Sequence, residues 1–291
     1  PRARSGERVV HARGSGLQDG TDEELAEAVT LARGADVAIV VVGTNSRVES
    51  EGYDRDSLAL PGYQNDLVDA VIAANPRTIV VVNSGAPVEL PWRERTAATL
   101  LTYFGGQEYG NAIADVLTGV REPGGRLPTT WPAEEADLPV FDVTPIDGAV
   151  RYDEGIHIGY RAWLKAGRTP AYPFGFGLGY TSWHLGDAHV TEFDDHGQVT
   201  VSLTVTNTGD RNGKCVVQVY AERPDSAVDR PMRWLVGSTI VRAGGGEAAE
   251  AIVTVPRRRF AYWQDAWTYE PGDYTLRIGT NVLDLPKAVK V

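Results

Sequence analysis

Asp36-Val-Ala-Ile-Val-Val-Val-Gly43 is the stretch whose reading decides the fold. Six apolar residues in a row, four of them valine, without the alternation of a half-exposed strand, fit a strand buried on both faces of a parallel sheet. Its flanks agree. Upstream, Glu23–Arg33 places Leu25, Ala28, Val29 and Ala32 at helical spacing. Thr21 and Asp22 offer cap chemistry there, Glu23 and Glu24 fall in the first turn, and Gly34 closes the segment. Downstream, Pro61–Asn75 reads as a second helix on Leu67, Val68, Val71 and Ile72, ahead of a second apolar strand at Thr78–Asn83. A third strand is expected at Thr99–Phe104 and a third helix at Asn111–Leu117. Strands alternating with helices over short connections predict an open, mostly parallel α/β sheet covered by helices for residues 1–135.

The pattern then changes twice. Residues 136–184 form a glycine-, proline- and aromatic-rich connector ending in Tyr172-Pro-Phe-Gly-Phe-Gly-Leu-Gly-Tyr180. Its aromatic side chains, from Tyr152 to Tyr180, are expected to be buried. Residues 185–291 read as all-β, with Val199–Thr206 alternating before the turn Asn207-Thr-Gly-Asp210, and further short strands at sandwich spacing. An immunoglobulin- or fibronectin III-like sandwich is predicted there.

Composition excludes several function classes. Of 291 residues, 42% are hydrophobic and 23% charged, the balance of a globular chain. A net charge of −11 makes nucleic acid a poor partner. No apolar run approaches the ~20 residues that span a membrane. One cysteine, Cys215, permits no internal disulfide and no cysteine-cluster metal site. The five histidines show no metal-ligand spacing, and no cofactor is expected. Ser84-Gly85 lacks the surroundings of a nucleophile elbow, and the glycine-rich turn after Tyr103 lacks dinucleotide-binding spacing. The tryptophans of the β region, Trp163, Trp183, Trp234, Trp263 and Trp267, read as packing residues rather than a carbohydrate-binding face. The chain opens at Pro1 without methionine or a signal-peptide pattern. It reads as a processed or partial chain, and secreted and cytoplasmic locations both stay open.

Chemistry points to Glu49-Ser-Glu51-Gly-Tyr-Asp54-Arg55-Asp56, which hangs off the carboxyl end of the first strand, where open α/β sheets bind ligands. Four carboxylates and an arginine there are either a solvated loop or a source of catalytic carboxyl groups. In an extended loop Glu49 and Glu51 would face the same side.

The string Glu51-Gly-Tyr-Asp-Arg55, with Leu58-Ala-Leu-Pro-Gly62 and Gln64, resembles the C-terminal half of a glycoside hydrolase family 3 β-glucosidase. The likeness continues through Val80–Val88, Gly106-Gln-Glu108, Gly125-Arg-Leu-Pro128 and Gly159-Tyr-Arg161. It extends to the fibronectin type III-like tail at Val205-Thr-Asn-Thr-Gly209 and Glu270-Pro-Gly-Asp-Tyr274. Gly105 and Gly179 depart from the family's usual proline and serine. The resemblance implies retaining hydrolysis of a terminal β-D-glucosyl residue, which needs two carboxyl groups about 5–5.5 Å apart. It implies Glu51 as general acid/base, ahead of Glu49 and Asp54. The nucleophilic aspartate would come from an N-terminal barrel domain that this chain does not contain. Tyr53 is a candidate wall for the substrate; Glu49, Asp54 and Arg55 are expected to support the loop, the last two through ion pairs. The implied partners are a β-glucoside, the barrel of the same protein and a second copy in a homodimer. A β-xylosidase of the same family and a non-catalytic carbohydrate-binding module are the alternatives.

Overall fold

A computed structural model of the chain describes residues 8–140 and 144–291. They form two compact units, one of residues up to Ile113 with Pro132–Ala136, the other of Ala114–Trp131 and Asp137–Val291.

In the first unit, α1 (Asp22–Arg33) begins with a complete capping box: the Thr21 hydroxyl accepts from the Glu24 N–H, and the Glu24 carboxylate accepts from the Thr21 N–H. β1 (Ala38–Gly43), β2 (Thr78–Asn83) and β3 (Ala98–Leu101) make a parallel sheet in that order. α2 (Gln64–Ala74) packs on β1 and β2, and α1 packs on α2. The central strand is buried throughout at Val80, Val81 and Val82. The expectation for β1 is only half met. Val40 and Val42 are buried, but Ile39 and Val41, which point to the opposite face, are 51% and 62% exposed, so only one face of β1 is covered. β3 is shorter than predicted. Tyr103 turns to φ 52°, which ends the extended backbone. α3 (Tyr109–Leu117) runs across the boundary between the units.

In the second unit α4 (Tyr160–Ala166) is the helix of the connector and ends on Gly167 at φ 63°. Two antiparallel sheets follow. One is β4 (Trp183–Val190), β5 (Gln198–Asn207) and β8 (Ala248–Pro256), ordered β4-β5-β8. The other joins β6 (Gly213–Glu222), β7 (Trp234–Ala243), β11 (Thr275–Gly279) and β12 (Lys287–Lys290) in the order β12-β11-β6-β7. Their inner faces share one core, with Val199, Val201 and Val205 meeting Val217, Val219 and Leu276. β9 (Tyr262–Gln264) and β10 (Ala266–Thr268) form a separate hairpin. The predicted sequence of a parallel α/β sheet and then an all-β sandwich is what the chain adopts.

Two aromatic expectations fail. Tyr152 is 77% exposed, whereas Trp163 is buried and Tyr160 stacks on Phe174. Trp263 and Trp267 stand on the β9–β10 hairpin, 64% and 46% exposed, and pack on each other instead of the core.

Candidate active site

The site is built from the carboxyl ends of β1 and β2. Gly43 ends β1 so close to the Asn83 carbonyl that a Cβ would collide with it. Gln64, at the start of α2, holds this point. Its Oε1 accepts from the Gly43 N–H at 2.7 Å, and its Nε2 donates to the carbonyls of Gly43 at 2.9 Å and Pro61 at 3.0 Å. The Thr44 N–H then donates to the Asn83 carbonyl at 3.0 Å. The loop that follows therefore leaves from a fixed origin.

Within the loop the Asn45 carbonyl accepts from the Val48 and Glu49 N–H groups, at 2.9 and 3.0 Å. An antiparallel bridge between Ser50 and Tyr53 closes a tight turn with Glu51 and Gly52 at its tip. This turn replaces the extended segment expected for residues 49–51, so alternation of side chains does not apply. The two glutamates have different surroundings. Glu49 is half-buried, and its Oε1 accepts from the Thr44 hydroxyl and, at 2.8 Å, from the Gly85 N–H. Glu51 is exposed at the tip. The Tyr53 hydroxyl donates to the Ser46 carbonyl, and the residue is 48% exposed. Asp54 is exposed. Arg55 donates to the Pro87 carbonyl at 2.7 Å, so among the described residues its anchor is a backbone oxygen and not the expected ion pair. Farther on, Glu135 accepts from the Leu58 N–H at 2.8 Å.

Nothing in the sequence marks Thr44 or Pro87 as a partner of this loop. Gly85 stands out in the sequence only through Ser84-Gly85 and the family likeness over Val80–Val88, and no local pattern links it to Glu49. Among the described residues, no three His, Cys, Asp or Glu side chains gather where they could hold a metal ion. The arrangement places an accessible carboxyl group, that of Glu51, at the tip of a turn whose two sides are tied down, beside a partly exposed tyrosine, with Asp54 exposed just beyond it. Such a group can give or take a proton.

The glycosyl hydrolase family 3 C-terminal domain matches residues 3–180. The chain belongs to glycoside hydrolase family 3. A fibronectin type III-like domain matches residues 215–282 of this family 3 chain. A β-glucosidase of Rhizobium radiobacter is 38% identical over 93% of the chain, and one of Kluyveromyces marxianus is 40% identical over 91%. Among solved structures, a β-glucosidase from Streptomyces venezuelae in complex with D-glucose superposes with TM-score 0.88 at 38% identity over 93% of the chain. A family 3 β-glucosidase of Bifidobacterium adolescentis gives 0.91 at 36% identity over 96%. The chain spans about a third of these curated relatives, 34% and 32%, and 35% and 42% of the two solved chains.

Proposed function

We propose that this chain is the C-terminal portion of a retaining β-glucosidase, that it supplies the general acid/base through Glu51, and that the nucleophilic aspartate lies in a barrel domain outside it. The substrate is a β-glucoside, and no cofactor takes part. One observation carries the assignment within the loop. Glu49 is occupied by two hydrogen-bond donors, while the Glu51 carboxyl stands exposed at the turn. Retaining hydrolysis asks one carboxyl group to protonate the leaving oxygen and then to activate water. A carboxyl group at the tip of an anchored turn can approach a sugar held by another domain. Tyr53, two residues on, offers an aromatic face to the leaving group.

The test uses the full-length enzyme. Glu51→Ala removes the proton donor and leaves the nucleophile in place. Turnover of alkyl glucosides should fall by about 10²–10⁴-fold. Aryl glucosides with very acidic phenols should still form the glycosyl-enzyme, which then persists because no base activates water. Azide, which needs no base, should restore turnover and yield a β-glycosyl azide. Loss of activity without dependence on the leaving group, and without azide rescue, would remove Glu51 from this role.

A further inference from the structure

Glu49 does more than decorate the loop. Its Oε1 is the meeting point of two donors from different strands: the Thr44 hydroxyl just after β1 and the Gly85 N–H just after β2. Its own N–H is also held, by the Asn45 carbonyl at 3.0 Å. The Ser50–Tyr53 bridge begins one residue later, so the backbone that carries Glu51 is held on both sides. Gly85 completes the arrangement. A Cβ there would lie 3.1 Å from Glu49 Oε2, which would have to give by a few tenths of an ångström, and 2.8 Å from Phe104 Cε2, whose ring would have to shift. A side chain at position 85 would therefore crowd the carboxylate where it reaches the backbone N–H.

We infer that Glu49 is a positioning residue that sets the place of the acid/base by latching its loop to the end of β2, with Gly85 as the seat of the latch. The inference rests on the reading of Glu51 as acid/base. Glu49 need not touch substrate or exchange a proton during the reaction. A carboxylate is suited to the task because it accepts both donors on one oxygen. A shift of about 1 Å in a reacting group costs on the order of 10²-fold in rate. Release of the latch should therefore impair proton donation more than it impairs nucleophilic attack.

The experiment compares Glu49→Ala, Glu49→Gln and Gly85→Ala in the full-length enzyme, reading kcat/KM for an alkyl β-glucoside and for 2,4-dinitrophenyl β-glucoside. The ratio of the two does not depend on how much of each preparation is folded. Glu49→Ala and Gly85→Ala should lower the alkyl value by about 10²-fold while the dinitrophenyl value stays close to wild type, since that leaving group needs little acid help. Glu49→Gln keeps an acceptor oxygen and should recover most of the ratio. Azide should rescue none of the three, because Glu51 still fills its place. An unchanged ratio in both Glu49→Ala and Gly85→Ala, or equal loss on both substrates, overturns the positioning role. Azide rescue of Glu49→Ala but not of Glu51→Ala is a different failure: it makes Glu49 the acid/base and removes the reading on which the inference rests.

Discussion

Gln64 shows how a single side chain can organise a site it does not enter. It is buried and serves both polar groups of Gly43 and the Pro61 carbonyl, which joins the end of β1 to the start of α2. The sequence marks Gln64 only as one letter of a family motif; its partners lie 21 residues away in Gly43. A Gln64→Leu change fills the same space and leaves the Gly43 N–H without its acceptor. An orphaned buried group costs about 1–3 kcal/mol, so urea unfolding should show a destabilisation in that range, with β1 and the loop that follows it the first region to lose hydrogen-exchange protection. Wild-type stability in this variant would show that water takes over the role of the amide.

Among the elements, α1 and β2 match their sequence signals closely, because cap chemistry and central-strand burial are local or nearly so. β1 does not, because burial of its second face depends on a neighbour that a run of valines cannot specify. Connections in the β-sandwich carry their own constraints. The segment linking β6 to β7 is clamped to the approach to β11 by Glu270. That carboxylate pairs with Arg223 and Arg230, each at 3.2 Å, and accepts from the Ser226 hydroxyl at 2.8 Å and the Ala227 N–H. Burial works to raise the pKa of Glu270, but these donors and cations outweigh it and hold the carboxyl below its ordinary value of 4.5. A carboxyl group with a lowered folded pKa contributes stability that is complete above its unfolded pKa and fades as the pH falls through the folded one. Glu270→Gln should therefore lower the urea midpoint at pH 7. The gap from wild type should narrow as the pH drops below about 4.5, the unfolded carboxyl range. Parallel midpoints across that span would show that the clamp acts by shape and not by charge.

In the whole molecule, much of the connector is built into the second unit rather than strung along it. The Tyr160 hydroxyl accepts from the Leu235 N–H of β7 at 3.0 Å, and its ring lies 4.6 Å from Phe174 and edge-on to buried Tyr220. Gln218 of β6 donates to the Gly175 carbonyl at 3.0 Å, and the Val282 N–H donates to the Phe174 carbonyl at 3.1 Å. Tyr160→Ala should cost roughly 3 kcal/mol, as for other packed aromatics, and lower the melting temperature of the β-sandwich. Tyr160→Phe keeps the stack, orphans one N–H and should cost about 1 kcal/mol. A Tyr160→Ala chain that melts like wild type would reduce the connector to a tether.

The order of helices and strands from α1 to α3, the cap of α1, the change to an all-β pattern and the loop where carboxylates gather were legible in the sequence, because each is written in residues close together along the chain, whereas α4 and the β9–β10 hairpin carried no such local signal. The difference between Glu49 and Glu51 was not. Both are glutamates in one acidic stretch, and the family likeness alone ranked them. What separates them physically is a hydrogen bond from Gly85, 36 residues farther on, which parallel pairing of β1 with β2 brings beside the loop. The exposed side of β1 and the outward tryptophans of the β9–β10 hairpin have the same origin. Apolar residues state a preference for burial, but folding decides which of them find a neighbour.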